Sequence, residues 1–210
     1  MNVIQTHLTL PEGWTKGAVM ALISEVAPHI GLRPARLAVL NYIIGRTRAS
    51  DWTSPHREPV FFGAQDLAAV ELGKTSRQLR TDEAALAKLG LIVKRVAANG
   101  ARYGRAGLGL ILTPLIARLE EFIALRDRLR AERRHLRALK DLRSLRLRHM
   151  KRCIAALPSS AIKDPEIVKI LASFDKWPRS DALSRLGLER LNAHLNPHSP
   201  SKVLISLFWA

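Results

Sequence analysis

The chain has 210 residues, enough for one good core and an extension, and it carries 34 Lys and Arg against 18 Asp and Glu, a formal net charge of +16. That balance points to a polyanionic partner, with nucleic acid the first candidate, while an aromatic content of 5% argues against a single-strand binder that stacks bases. The single cysteine, Cys153, excludes a disulfide framework and a thiolate metal site. With no basic and apolar leader pattern at the amino terminus and no apolar run of roughly 18 residues, the sequence predicts a cytoplasmic protein with no membrane partner.

Residues 1–13 read as a loose amino-terminal arm. From Lys16 to His29, Val19, Met20, Leu22, Ile23, Val26 and then Ile30 recur at helical spacing, and Gly31 stands at the C-cap. Pro34 suits the first position of a second helix, whose stripe of Leu37, Leu40, Ile43 and Ile44 ends at Gly45. Residues 46–58, which hold Ser50, Asp51, Ser54 and Pro55 and are followed by Pro59, read as a loop, and Val60 to Phe62 as a short strand.

The segment from Gln65 to Tyr103 is the most informative. A helix from Gln65 to Leu72, a turn at Gly73 and a helix capped by Thr75 or Ser76 and ending near Leu89 predict a helix-turn-helix. Strand propensity from Leu91 to Val96, an Asn99-Gly100 hairpin signal and a return over Leu108 to Leu112 add a β-wing. The fold class is therefore mainly α: a winged helix-turn-helix over residues 14–112, a long basic helix over 113–157 and short helices over 158–210. Pro114 opens the long helix, and no Pro or Gly follows before Pro158, giving about 65 Å if it is fully helical. Its apolar seam is not a strict heptad, since Glu132 and Arg143 fall at apolar positions; a bend or a break near residues 143–146 is expected. The helix reads either as a dimerising coiled coil or as a basic arm lying along DNA. Asp164 caps a helix running to Phe174, and Asp181 another to about Leu195.

Catalytic signatures are missing from the sequence. There is no GxxxxGK[ST] loop, and Gly104, Gly107 and Gly109 read as wing or turn. Pro197 spoils a helical metal face for His194 and His198, and the pairs Asp82-Glu83 and Glu120-Glu121 are adjacent, so their carboxylates diverge by about 100°. A binding protein without cofactor or metal is expected, not an enzyme.

On the predicted recognition helix, Leu79, Leu86 and Leu89 form the core side. Thr75, Ser76, Arg77, Gln78, Arg80 and Thr81 occupy the amino-terminal half that would enter the major groove and contact bases. Gln65, Lys94, Arg95, Asn99, Arg102 and Arg105 are the expected contacts to the DNA backbone. Asp82 and Glu83 are awkward here, because acids facing a groove repel phosphate; they are expected to turn away.

The stretches GLRPARLAVLNYIIGRTRASDW, ALAKLGLIVKRVAANGARYG and LTPLIARLEEFIALRDRLRAERRHLRALK, in that order, resemble the amino-terminal part of the RepC family, the replication initiators of repABC-type plasmids. The resemblance covers roughly residues 10–150. It implies sequence-specific binding to double-stranded DNA at the plasmid origin, a nucleating role in replication with contacts to replication-machinery proteins, and no ATPase. It gives residues Thr75–Thr81 and Lys94–Arg105 the DNA-contact role. Residues 158–210 do not resemble the second domain of the longer family members. The alternative reading is a winged-helix transcriptional regulator that binds an operator as a homodimer through the long helix.

Overall fold

A computed structural model describes residues 6–96, 108–158, 163–175, 182 and 187–195. The described part is mainly helical with one small antiparallel sheet, as expected. By its internal contacts the chain divides into two compact units, Met1–Arg128 and Leu129–Ala210.

The first unit opens with helices α1 (Lys16–Val26) and α2 (Pro34–Gly45). Thr15 caps α1 by accepting from the Ala18 amide, and a 3-10 turn over Ala27–Ile30 ends at Gly31, whose φ of 73° serves the left-handed C-cap. Val19, Leu22, Ile23 and Val26 of α1 and Val39, Leu40, Ile43 and Ile44 of α2 are buried together. Lys16 donates through Nζ to the carbonyls of Gly45 and Thr47, at 2.9 and 2.8 Å, covering open acceptors at the end of α2.

Two expectations need correction here. The loop after α2 is not only a surface loop. A 3-10 turn over Ala49–Trp52 buries Trp52 completely, and its indole N–H donates to Thr47 Oγ1 at 2.8 Å. The amino-terminal arm is tied down from His7 onward: the His7 and Leu10 amides donate to the carbonyls of Pro55 and Trp52, and Leu10 joins the core. A single apolar side chain in a polar stretch gives no periodicity, so neither anchor is visible as a pattern.

The sheet holds β1 (Val60–Phe61), β2 (Val93–Arg95) and β3 (Gly109–Ile111) in the order β1-β3-β2, both pairs antiparallel. Val60 and Val93 both face Ile111, so β3 is the middle strand. Gly109 has φ of 141°, and a Cβ there would lie 2.5 Å from the Phe61 carbonyl oxygen; only glycine lets β1 and β3 approach.

Between β1 and β2 lie α3 (Gln65–Glu71) and α4 (Ser76–Lys88). After β3 the predicted single long helix is in fact two: α5 (Thr113–Ala117) and α6 (Leu119–Ala156), broken at Arg118 with φ −101° and ψ 9°. The break has a tertiary cause. The Arg118 guanidinium donates to the carbonyl of Leu89 at 2.8 Å, forms paired bonds with Glu121 and lies 4.8 Å over the Phe122 ring. No helix break occurs at residues 143–146, where α6 is continuous. The first core continues through Leu115, Leu119 and Phe122.

In the second unit, α6 continues alongside α7 (Pro165–Asp175) and α8 (Leu188–Leu195). The Asp164 carboxylate accepts from the Glu166 amide, the expected cap of α7. Leu136 and Leu139 of α6 pack against the fully buried Leu191 of α8. Arg143, at an apolar position of the seam, is 2% exposed, and burial pushes its guanidinium pKa down. No helix among the described residues is long and apolar enough to cross a membrane.

Candidate nucleic-acid interface

The helix-turn-helix is built from small residues on one helix and a cap on the next. Ala68 and Ala69 are the buried face of α3, which lets that helix approach α4 closely. Gly73, at φ of 62°, makes the turn, where the Lys74 amide donates to the Ala69 carbonyl at 2.8 Å. Thr75 then closes a full capping box: its Oγ1 accepts from the Gln78 amide at 3.2 Å, and its own amide donates to Gln78 Oε1 at 2.9 Å. Leu79 and Leu86 anchor α4 in the core.

The six residues expected to meet bases divide into two groups. Arg77, Gln78, Arg80 and Thr81 are exposed, with Thr75 at the helix start. Two of these are partly engaged, Gln78 in the cap and Thr81 donating to the Arg77 carbonyl at 3.0 Å. Ser76 differs: it is half-buried and donates to Asp66 Oδ1 of α3 at 2.6 Å, so its hydroxyl joins the two helices. The exposed face of α4 extends further than expected, through Ala84 and Lys88, which stand seven and eleven residues after Arg77 and are exposed. Helical spacing from Arg77 is the signal that identifies them. Beside this face lies an open concavity of about 570 Å³, lined by Leu72, Gly73, Lys74, Arg77 and Gln78 among others.

The two acids of α4 turn inward. Asp82 pairs with Lys74 at 2.8 Å and Arg36 of α2 at 3.6 Å. Glu83 is 1% exposed, with Lys94 Nζ of β2 at 3.3 Å and Gln65 Nε2 of α3 at 3.5 Å. Gln65 and Lys94, expected at the DNA backbone, therefore both face Glu83. Arg95 remains half-exposed but forms a pair with Glu58, at 2.5 Å for its shorter bond. Glu58 also accepts from Thr113 Oγ1 at 3.2 Å, linking β2 to the start of α5. Asn99, Arg102 and Arg105 lie outside the described residues.

At the far end of α3, Glu71 pairs with Arg46, whose guanidinium lies 5.3 Å over the Tyr42 ring. Burial, and then the hydrogen bond and charge of Glu71, raise the Tyr42 pKa. Among the described residues no group of three or more His, Cys, Asp or Glu side chains could hold a metal ion.

Comparison with known proteins gives an identity to this arrangement. The sequence profile described as Replication protein C N-terminal domain matches residues 2–157. A protein of Rhizobium rhizogenes provisionally described as replication protein C is 30% identical over 135 residues, 60% of this chain and 33% of that protein. A protein of Sinorhizobium fredii with the same description is 27% identical over 157 residues, 71% of this chain and 38% of that protein. The match thus spans little more than a third of those relatives' length. No solved structure gives a significant match. The chain belongs to the replication protein C family and carries its amino-terminal domain over residues 2–157, from the arm through α6.

Proposed function

We propose that this chain is the DNA-reading part of a plasmid replication initiator, a binding protein and not an enzyme. α4 enters the major groove of the origin and presents Arg77, Arg80 and Thr81 to base edges, while the strands of the wing follow the backbone. The observation that carries this reading is the sorting of charge on α4. Its basic side chains Arg77, Arg80 and Lys88 are exposed on one side, and its two acids are drawn inward to Lys74, Arg36 and Lys94. A helix that served only as packing would have no reason to clear acids from its exposed face. Membership of the replication protein C family supports an origin as the DNA and initiation as the outcome.

A regulator dimerised through the long helix is less well supported. Its seam would need Leu136 and Leu139 for a partner helix, and α8 of the same chain covers both with Leu191.

The test is a footprint on DNA from the chain's own locus at physiological salt. A discrete protected site, with affinity at least tenfold above that for random DNA of equal length, is expected. Equal affinity for the two would overturn sequence-specific reading. Specific binding without maintenance of a plasmid that depends on the chain would overturn initiation alone.

A further inference from the structure

We infer that α6 carries a second double-stranded nucleic-acid surface, in the unit beyond Leu129, that grips phosphates without reading sequence. Arg134, Arg137, Arg148, Lys151 and Arg152 are all exposed. At 3.6 residues per turn they fall within an arc of about 100°, which also holds the exposed Asp141, and span about 27 Å of helix. From Arg130 to Ala156 there are ten Lys and Arg against two acids, Glu132 and Asp141. Duplex DNA carries one charge per roughly 1.7 Å of axis, so a ridge of this length lies beside more phosphates than it has cations. The charges match without demanding a register, which is how a sequence-independent contact works.

The other face of the helix decides between partners. Leu129, Arg143 and Met150 are buried, and Leu136 and Leu139 pack on Leu191. A helix that lies in a lipid surface needs a continuous apolar face turned outward, whereas on α6 only Leu142 and Leu145 are exposed large apolar side chains among the described residues. A second copy of the chain would bring the same charge against the ridge. A nucleic-acid duplex meets all these conditions. This surface is independent of the groove reading assigned to α4 and would add affinity to any DNA that α4 selects.

The test compares three variants of the full chain on locus DNA and random DNA over a range of salt. They are R134Q/R137Q/R148Q/R152Q, the same four positions changed to Lys, and R77Q. Arg, Gln and Lys have similar helix propensity, and far-UV ellipticity checks that α6 persists. The Gln variant should bind both DNAs at least about tenfold more weakly, with the slope of log affinity against log salt shallower by about 3. The Lys variant should stay within about threefold of the parent, because each ammonium still meets a phosphate. R77Q should reduce the preference for locus DNA and keep the salt slope nearly intact. An unchanged slope in the Gln variant, or an equal loss in the Lys variant, overturns the α6 surface. So does a Gln variant that loses binding to phosphatidylglycerol vesicles and keeps its DNA affinity. Failure of R77Q to change preference instead overturns the reading of α4, and leaves this one standing.

Discussion

Arg118 Nη1 donates to the main-chain oxygen of Leu89 at 2.8 Å, so the residue that separates α5 from α6 also caps the end of α4. Lys16 does the same for α2 through Gly45 and Thr47. In each case a cation from a distant element satisfies carbonyls that a helix end leaves open and complements the negative end of its dipole. Changing Arg118 to Met should cost about 1–2 kcal/mol, while Glu121→Ala, at an exposed partner, should cost less than about 1 kcal/mol. Urea denaturation of the two variants checks the ranking; equal losses would mean that the contact with Leu89 contributes little.

The same junction has an acid-sensitive side. The hydrogen bond from Arg118 holds the Glu121 carboxyl below the ordinary carboxylate range. Its stabilising contribution is therefore fully present above that range and is lost as pH falls through the lowered value. Because Glu121 is more than half exposed, the effect is small. The difference in midpoint between the parent and Glu121→Gln should shrink on acidification and should stay constant above neutrality.

Lys94 and Arg77 separate stability from recognition. Removing the Lys94 ammonium takes one cation, at 3.3 Å, from a carboxylate that is 1% exposed. Lys94→Ala should cost about 2 kcal/mol in stability. It should lower DNA affinity for all sequences only to the extent that the fold is lost. Differential scanning calorimetry and a binding titration on the same sample make the comparison.

Arg77→Ala should leave the melting midpoint within about 2 °C, since surface changes fall within roughly 0.5 kcal/mol. It should relax discrimination by about 1–3 kcal/mol at one or two base pairs. Lys88→Ala, on the same face but near the end of α4, should weaken every sequence alike and reduce the salt slope by about 1. A base-by-base competition assay resolves the two patterns.

Thr75→Ala removes one half of the capping box and should cost about 1 kcal/mol, with Thr75→Asn recovering most of it. The readout is amide exchange in the first turn of α4. Protection that is the same in all three forms would show that tertiary packing alone holds the helix start.

The local grammar of the fold was legible in the sequence, whereas the tertiary partners were not. Thr75, Gly73, Pro34 and Asp164 act through their own backbone or the next turn, and a residue-by-residue reading finds them. The seam of α6 was equally plain. What it could not reveal was its cover, because nothing in Leu136 or Leu139 distinguishes an intramolecular Leu191 from another chain. Ser76 looked like a base contact because its type and position fit, and only the approach of Asp66 from α3 shows where its hydroxyl goes. The inward turn of Glu83 depends on Lys94 and Gln65, eleven and eighteen residues away along the chain. The break at Arg118 leaves no Pro or Gly to mark it, because its cause lies in a carbonyl twenty-nine residues earlier.

The position of β3 in the middle of the sheet has a mechanical consequence. A wing made of an isolated hairpin could swing like a flap on its two strand ends. Here the returning strand is bonded on its other edge to β1, and the loop before β1 holds the buried Trp52 and the anchored amino-terminal segment. Tilting the hairpin would have to tear β1 from β3 or carry that whole anchor with it. The sheet is thus a fixed bracket, which ties β2 through β3 and β1 to the amino-terminal anchor.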